Sequence, residues 1–297
     1  MTRITNRIAV AALAAAASLA MGRSALAAVA VDGNLDADYG SALATQTNNT
    51  GFGDSTSNDG TSAGGSELDA GYGVVQGGVL YLMLTGNFQD NGNHVNVFVS
   101  DGRAGQSTLA VPPTGTMQAM NGSNFSPGFQ ATYAIDLNDY AETAYVEQYN
   151  LVANTGGFVG SFPVNNGTPN LPGGDPIVYS LNDFNAAGVN GNVGTAADPV
   201  AADAVTTGLE IGIPLSLLGN PNGPIDVLAD INGGGDNYLS NQFLPGLPVG
   251  YGNLGNNGIF DFSSTPGQYF VVPNPEPATI GMLGAAGLLG LGRRRRA

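Results

Sequence analysis

The sequence predicts an all-β protein: a single, jelly-roll-like β-sandwich with long polar loops, an N-terminal signal helix and a short C-terminal apolar helix. Three observations lead there. Helical periodicity is missing outside the two termini, while short segments of strand character recur between turn signals. Glycine is abundant, at 46 of 297 residues, and only 10% of residues are charged, as expected of a turn-rich secreted β protein. Cysteine is absent, so stability must come from burial, hydrogen bonds or bound ions.

At the N-terminus, Arg3 and Arg7 precede an apolar run from Ile8 to Met21, and Ala25-Leu26-Ala27 follows as an A-x-A cleavage site. Residues 1–27 therefore read as a secretory signal peptide, with signal peptidase as a partner during export. Residues 28–272 are expected to form the sandwich domain. Val79–Thr85 is a near-continuous apolar run, the mark of a strand buried on both faces. Asp90-Asn-Gly-Asn93 supplies turn chemistry, and His94–Ser100 then alternates with Val95, Val97 and Val99 on one face, so the pair reads as a β-hairpin. Further strands are expected at Ala131–Leu137, Tyr145–Val152, Gly157–Phe162, Ile177–Leu181, Leu209–Ile213, Ile225–Ile231 and Gln268–Val272. Pro214–Gly219 looks like one helical turn opened by proline and closed by glycine. Residues 46–66, 103–128 and 163–175 read as long polar loops.

All eight basic residues are arginine, and seven of them lie in the two terminal segments. The body keeps Arg103 alone against 22 acids, a formal charge of −21. Such a surface repels nucleic acid and anionic lipid and attracts divalent cations, so nucleic-acid binding is excluded. Without lysine, the sheet edges must be protected by aspartate, proline and negative charge.

The tail is the most specific segment. Pro275, Glu276 and Pro277 lead into Ala278–Leu291, which is apolar or glycine apart from Thr279, and then into Arg293, Arg294, Arg295 and Arg296. As a helix this run would rise about 21 Å, short of a hydrocarbon core of about 30 Å. The four arginines would hold the C-terminus on the cytoplasmic side. Residues 273–297 resemble the PEP-CTERM sorting signal of bacterial surface proteins. The resemblance implies transient anchoring in the membrane, cleavage by an exosortase, and residence at the cell surface or in the extracellular matrix. A plain tail anchor is the other reading.

The body carries a second resemblance. Val31-Asp-Gly-Asn-Leu-Asp-Ala-Asp-Tyr-Gly40, the apolar run Val79–Thr85, and Gly208-Leu-Glu-Ile-Gly-Ile-Pro-Leu-Ser-Leu-Leu-Gly219 are together similar to family 9 carbohydrate-binding modules and their DOMON-like relatives. That implies a sandwich fold and extracellular polysaccharide as a partner. Those modules clamp sugars between tryptophans, and this chain has no Trp.

For chemistry, Asp32, Asp36 and Asp38, and the run Asp230-Ile-Asn232-Gly-Gly-Gly-Asp236, space oxygen ligands and tight turns as a calcium loop does. The second run has Asn241 where an EF-hand needs its bidentate Glu. The commoner role of Asp and Asn at such spacing is turn formation and capping. His94 reads as a structural histidine in a strand, and no Gly-x-Ser-x-Gly elbow exists, so no catalytic residue is assigned. A glycoside hydrolase would need two facing carboxylates, and the sequence singles out no pair. Tyr145 and Tyr149 share one strand face and could form a sugar-stacking platform, although core packing is the ordinary role of such alternation. The expected role is that of an exported acidic surface or matrix protein, structural or adhesive, with a glycan-binding module as the alternative.

Overall fold

The computed structural model describes residues 29–52, 66–185, 187–189 and 193–274. The signal segment, the Pro275–Pro277 motif and the arginine cluster lie outside the described residues. Two antiparallel sheets form an all-β sandwich. The first has the order β1 (Ala44–Thr45), β2 (Glu67–Gln76), β3 (Val79–Asn87), β9 (Gly208–Pro214), β8 (Val178–Leu181). The second has the order β11 (Leu239–Leu244), β10 (Ile225–Asn232), β4 (His94–Ser100), β5 (Tyr133–Asp139), β6 (Thr143–Asn150), β7 (Thr155–Pro163). The short β12 (Phe270–Val272) pairs with the first residues of β10, Ile225–Val227, and β11 with later ones. Among the described residues, no helix is long and apolar enough to cross a membrane.

Strand alternation builds the central core. Leu80, Leu82 and Leu84 of β3 and Leu209, Ile211 and Ile213 of β9 point inward from one sheet. Val95, Val97 and Val99 of β4, Ile135 and Leu137 of β5, and Val227, Ala229 and Ile231 of β10 meet them from the other. Burying a residue of this size contributes about 1.5–3 kcal/mol. The other face of β3 is also covered, because Met83 packs with Tyr72, Tyr39 and Val29 beneath the N-terminal segment. That explains its continuous apolar run.

The expected hairpin between β3 and β4 does not form. The Asp90–Asn93 turn is present, but β3 is paired on both sides within one sheet, by β2 and β9, and β4 on both sides within the other, by β5 and β10. Neither strand has a free edge for the other, so the connection crosses the sandwich. The Pro214–Gly219 segment forms consecutive hydrogen-bonded turns, Leu217 N to Pro214 O at 3.0 Å and Leu218 N to Leu215 O at 3.0 Å, ending at Gly219 with φ +72°.

The 103–128 loop is not simply polar. Leu109, Val111, Met117, Met120 and Phe125 are buried and join Phe98, Phe129, Phe243, Phe260 and Phe262 in a second core on the outer face of the larger sheet. Their spacing is irregular, so no periodicity announces it. Phe98, Phe125 and Phe260 make edge-to-face contacts with centroids 5.1 to 5.9 Å apart.

Glycines in β2 let the sheets approach. A Cβ on Gly73 would meet Val272 Cγ2 at 2.5 Å and one on Gly71 would meet Phe270 Cε1 at 3.1 Å. Gly73→Val is therefore expected to overpack the β2–β12 contact and cost about 1–3 kcal/mol in urea-denaturation stability; an unchanged midpoint would show that the sheets do not press together there.

Candidate functional site

The outer face of the larger sheet, beside the second core, carries the densest polar chemistry. Register places cross-strand neighbours in rows. Tyr149, Ala134, Phe98 and Leu228 form an apolar row. Glu147, Asp136, Asn96 and Asp230 form the next, and Tyr145, Asn138, His94 and Asn232 the third. The second core roofs the first row. The other two meet the glycine turn after β10.

In that turn Gly235 and Asp236 have φ of +83° and +54°, the left-handed region that glycine enters freely and aspartate tolerates. Asn232 staples the turn, its Oδ1 accepting from Gly233 N at 3.0 Å and Tyr238 N at 2.9 Å. The turn thereby delivers Asp236 to the sheet face. There His94 Nδ1 lies 2.7 Å from Asp136 Oδ1 and 3.6 Å from Asp236 Oδ2. Asn96 Nδ2 donates to Asp236 Oδ1 at 2.9 Å and to Asp230 Oδ1 at 3.3 Å. Thr116 Oγ1 donates to Asp136 Oδ2 at 2.9 Å. Glu147 accepts from the Tyr149 hydroxyl at 2.6 Å and from Thr116 N at 3.1 Å.

The electrostatics follow from burial. Burial pulls the His94 imidazole down, but Asp136, bonded to it, and the more distant Asp236 and Glu147 outweigh this and push it up to about 9. Burial, helped by the charge of Asp136, pushes Asp230 up to about 8 against the opposing Asn96 bond and His94. Asp236 is raised well above the usual carboxylate range, first by burial and then by Asp136. Burial also raises Glu147, against the Tyr149 bond. Three of the four carboxylates, those of Asp136, Asp230 and Asp236, are at most 1% exposed.

Above this cluster opens a groove of about 480 Å³. Asp136, Asn138 and Glu147 line its floor, and Tyr140, Tyr145 and Phe158 stand around it. These three aromatics are 59%, 40% and 61% exposed. A second hollow, of about 600 Å³, lies among the loops from Leu247 to Gln268 with Asp261 as its one carboxylate, so the chemistry converges on the first.

The sequence-predicted site residues are thus divided. Asp230, Asn232 and Asp236 do come together near His94, with Asn232 as staple rather than floor. Asp32 and Asp36 sit with the smaller sheet instead: Asp32 Oδ1 accepts from Asn34 N at 2.9 Å and Asp36 Oδ2 from Ala30 N at 2.8 Å, as turn residues do. Tyr145 is exposed at the groove, whereas Tyr149 on the same strand face is fully buried. Sequence reasoning passed over Asp136, Glu147, Tyr140 and Phe158. Asp136 and Glu147 are acids on the non-core phase of neighbouring strands, and only the strand register shows that they adjoin. Comparison with known families, with curated proteins and with solved structures returned no match.

Glu210 and Asp139 are among the buried acids that lie away from the groove. Glu210 of β9 hooks the N-terminal segment: its Oε2 accepts from Asp32 N at 2.8 Å and Gly33 N at 3.0 Å, and its Oε1 from the Tyr39 hydroxyl at 2.8 Å. Burial still pushes it up to about 7 from 4.5. Asp139 is raised by burial and by the facing Asp183. For Glu210 the folded state holds a proton that the unfolded state releases near 4.5. Its contribution to stability is therefore full below pH 4.5 and is lost as pH rises to 7, by about 3 kcal/mol at about 1.4 kcal/mol per unit. Urea denaturation at pH 4.5 and 7.5 should show wild type losing more stability than Glu210→Gln by roughly that amount; parallel losses would mean that Glu210 titrates normally.

Proposed function

We propose that this chain is an exported, acidic surface or matrix protein whose sandwich recognises extracellular polysaccharide through the groove above Asp136 and Glu147, giving it an adhesive role. The single observation that carries the reading is the set of exposed aromatics, Tyr140, Tyr145 and Phe158, standing around a floor of carboxylates and an amide. Flat aromatic faces offer apolar surface to the C–H face of a pyranose, and the floor offers acceptors to its hydroxyls. The groove volume lies within the usual range of about 300–1,000 Å³ for ligand sites. The lack of tryptophan removes one clamp of the carbohydrate-binding modules that the body resembles, and tyrosine and phenylalanine stand in its place. The jelly-roll-like arrangement those modules imply belongs to this proposal. The body charge of −21 favours a neutral or amine-bearing glycan over an anionic one.

The proposal does not include catalysis. Asp136 is held by His94 and Thr116, and Glu147 by Tyr149 and the Thr116 amide, so each carboxylate is fixed in place while keeping lone pairs that can accept from a bound hydroxyl. Affinity electrophoresis of the secreted protein through gels containing neutral or anionic polysaccharide tests the reading. Retardation should occur with a neutral glycan, and Tyr145→Ala and Phe158→Ala should each weaken it about tenfold, at roughly 1.4 kcal/mol per decade. Equal mobility in every gel would sink the glycan reading.

Delivery is part of the same proposal. Signal peptidase would remove residues 1–27, and the apolar tail would pause in the membrane until an exosortase cuts near Pro275-Glu276-Pro277. Deleting Pro275–Ala297 should leave the protein secreted but neither processed nor retained at the surface. Unchanged fractionation of the deletion variant would refute sorting through the tail.

A further inference from the structure

The cluster beneath the groove has the makings of a metal centre. One donor atom each from His94, Asp136 and Asp236 can be chosen so that all three lie within 4.8 Å of one another. The approaches of His94 Nδ1, 2.7 Å to Asp136 Oδ1 and 3.6 Å to Asp236 Oδ2, bracket the spacing of about 3.3 Å between donors that sit about 2.0–2.2 Å from a tetrahedral ion. Each carboxylate also has one oxygen held from behind. Thr116 Oγ1 fixes Asp136 Oδ2, and Asn96 Nδ2 fixes Asp236 Oδ1, leaving the opposite oxygens turned toward His94. That is how outer residues orient metal ligands.

A second observation points to a ligand independently. Asp236 Oδ2 and Asp230 Oδ2 are fully buried, yet no N–H or hydroxyl among the described residues donates to them. An unpartnered buried carboxylate oxygen is costly unless a cation or a proton reaches it. The body's lone arginine is committed elsewhere, with Arg103 Nη2 2.5 Å from Asp101 Oδ2.

We propose that His94 Nδ1, Asp136 Oδ1 and Asp236 Oδ2 form a buried site for one first-row divalent transition-metal ion, Zn²⁺ or Mn²⁺. Imidazole beside two carboxylates suits these ions, whereas calcium takes six to eight oxygens and has no use for the nitrogen. Asp136 and Asp236 balance the ion's two charges, and Asn96 and Asp230 form the surrounding shell, Asn96 Nδ2 donating to both Asp236 and Asp230. His94 and Asp136 also line the groove, which gives the ion a path of entry and leaves a coordination position open toward it. Binding must displace the proton from Nδ1, so uptake strengthens as pH rises. The inference does not depend on glycan recognition.

The test uses the secreted protein, stripped with chelator and titrated separately with Zn²⁺, Mn²⁺ and Ca²⁺ by calorimetry at pH 7.5. One Zn²⁺ or Mn²⁺ per chain is expected. Asp236→Asn and His94→Gln, each checked for folding by circular dichroism, should weaken uptake by at least about tenfold. Asp32→Asn should leave it unchanged. In wild type, X-ray absorption at the zinc edge should show one imidazole nitrogen among oxygen ligands, a readout that needs no variant. Absence of stoichiometric uptake, uptake of Ca²⁺ alone, a zinc shell without imidazole, or folded variants that bind like wild type would each overturn the site. Polysaccharide gels run with stripped and loaded protein report on the groove separately, so either reading can fail alone.

Discussion

A body with 22 acids, one arginine and one histidine has basic partners for only a few of its buried carboxylates, among them Asp101 with Arg103 and Asp136 with His94, and much of the architecture follows from what the others use instead. Glu210 takes two backbone amides and a phenol, and in doing so ties the N-terminal segment to the smaller sheet. Asp69 accepts from Val189 N at 3.0 Å and so anchors a distant loop to β2. Glu147 takes the Thr116 amide and the Tyr149 hydroxyl, fastening the 103–128 loop to β6. In each case an acid on a strand recruits loop backbone or a neutral donor. Each such hydrogen bond contributes about 0.5–1.5 kcal/mol, whereas a buried acid left without partners would cost about 1–3 kcal/mol. The 103–128 loop and the segment at Val189 are thereby held against the sheets.

The sandwich itself was legible because one physical rule governs most of it. Period-2 alternation marked β4, β5, β9 and β10, and the unbroken run of β3 correctly implied cover on both faces. β2 escaped because Gly71 and Gly73 occupy inward positions where a hydrophobic residue would have shown the pattern. Those glycines are demanded by the closeness of β12, a partner almost 200 residues away in the chain. Pairing was less legible than strand position. Turn residues between β3 and β4 reverse the chain equally well within a sheet or between sheets, and the choice rests on which neighbours fill each edge.

The site was legible in pieces. Asp230, Asn232 and Asp236 stood out as an oxygen-rich glycine turn, and that turn does deliver a carboxylate to the sheet. What the run could not show was its destination. His94 and Asp136 are 42 residues apart and meet because β4 and β5 are adjacent, while Asp230 on β10 and Asp236 on the turn after it lie more than 130 residues beyond Asn96, which bonds both. A lone histidine beside Val95 reads as structural until its outward phase is set against that of Asp136. The N-terminal acids had the same local signature as the glycine turn and belong to the other sheet, so spacing along the chain did not separate turn formers from site residues.

Tyr145 and Tyr149 show why the groove lies where it does. Both project from the same face of β6, four residues apart, yet one is 40% exposed and the other fully buried. The difference is the row each belongs to. Tyr149 lines up with Ala134, Phe98 and Leu228, an apolar row that the phenylalanines of the 103–128 loop and the C-terminal loops can cover. Tyr145 lines up with Asn138, His94 and Asn232, which no apolar roof could cover without stranding their polar groups. The boundary runs between them, at Glu147, where the Tyr149 hydroxyl reaches out of the covered half to bond the first acid of the open one. The second core and the groove are therefore two halves of one sheet face, divided by the chemistry of its rows, and the roof's edge is the groove's wall.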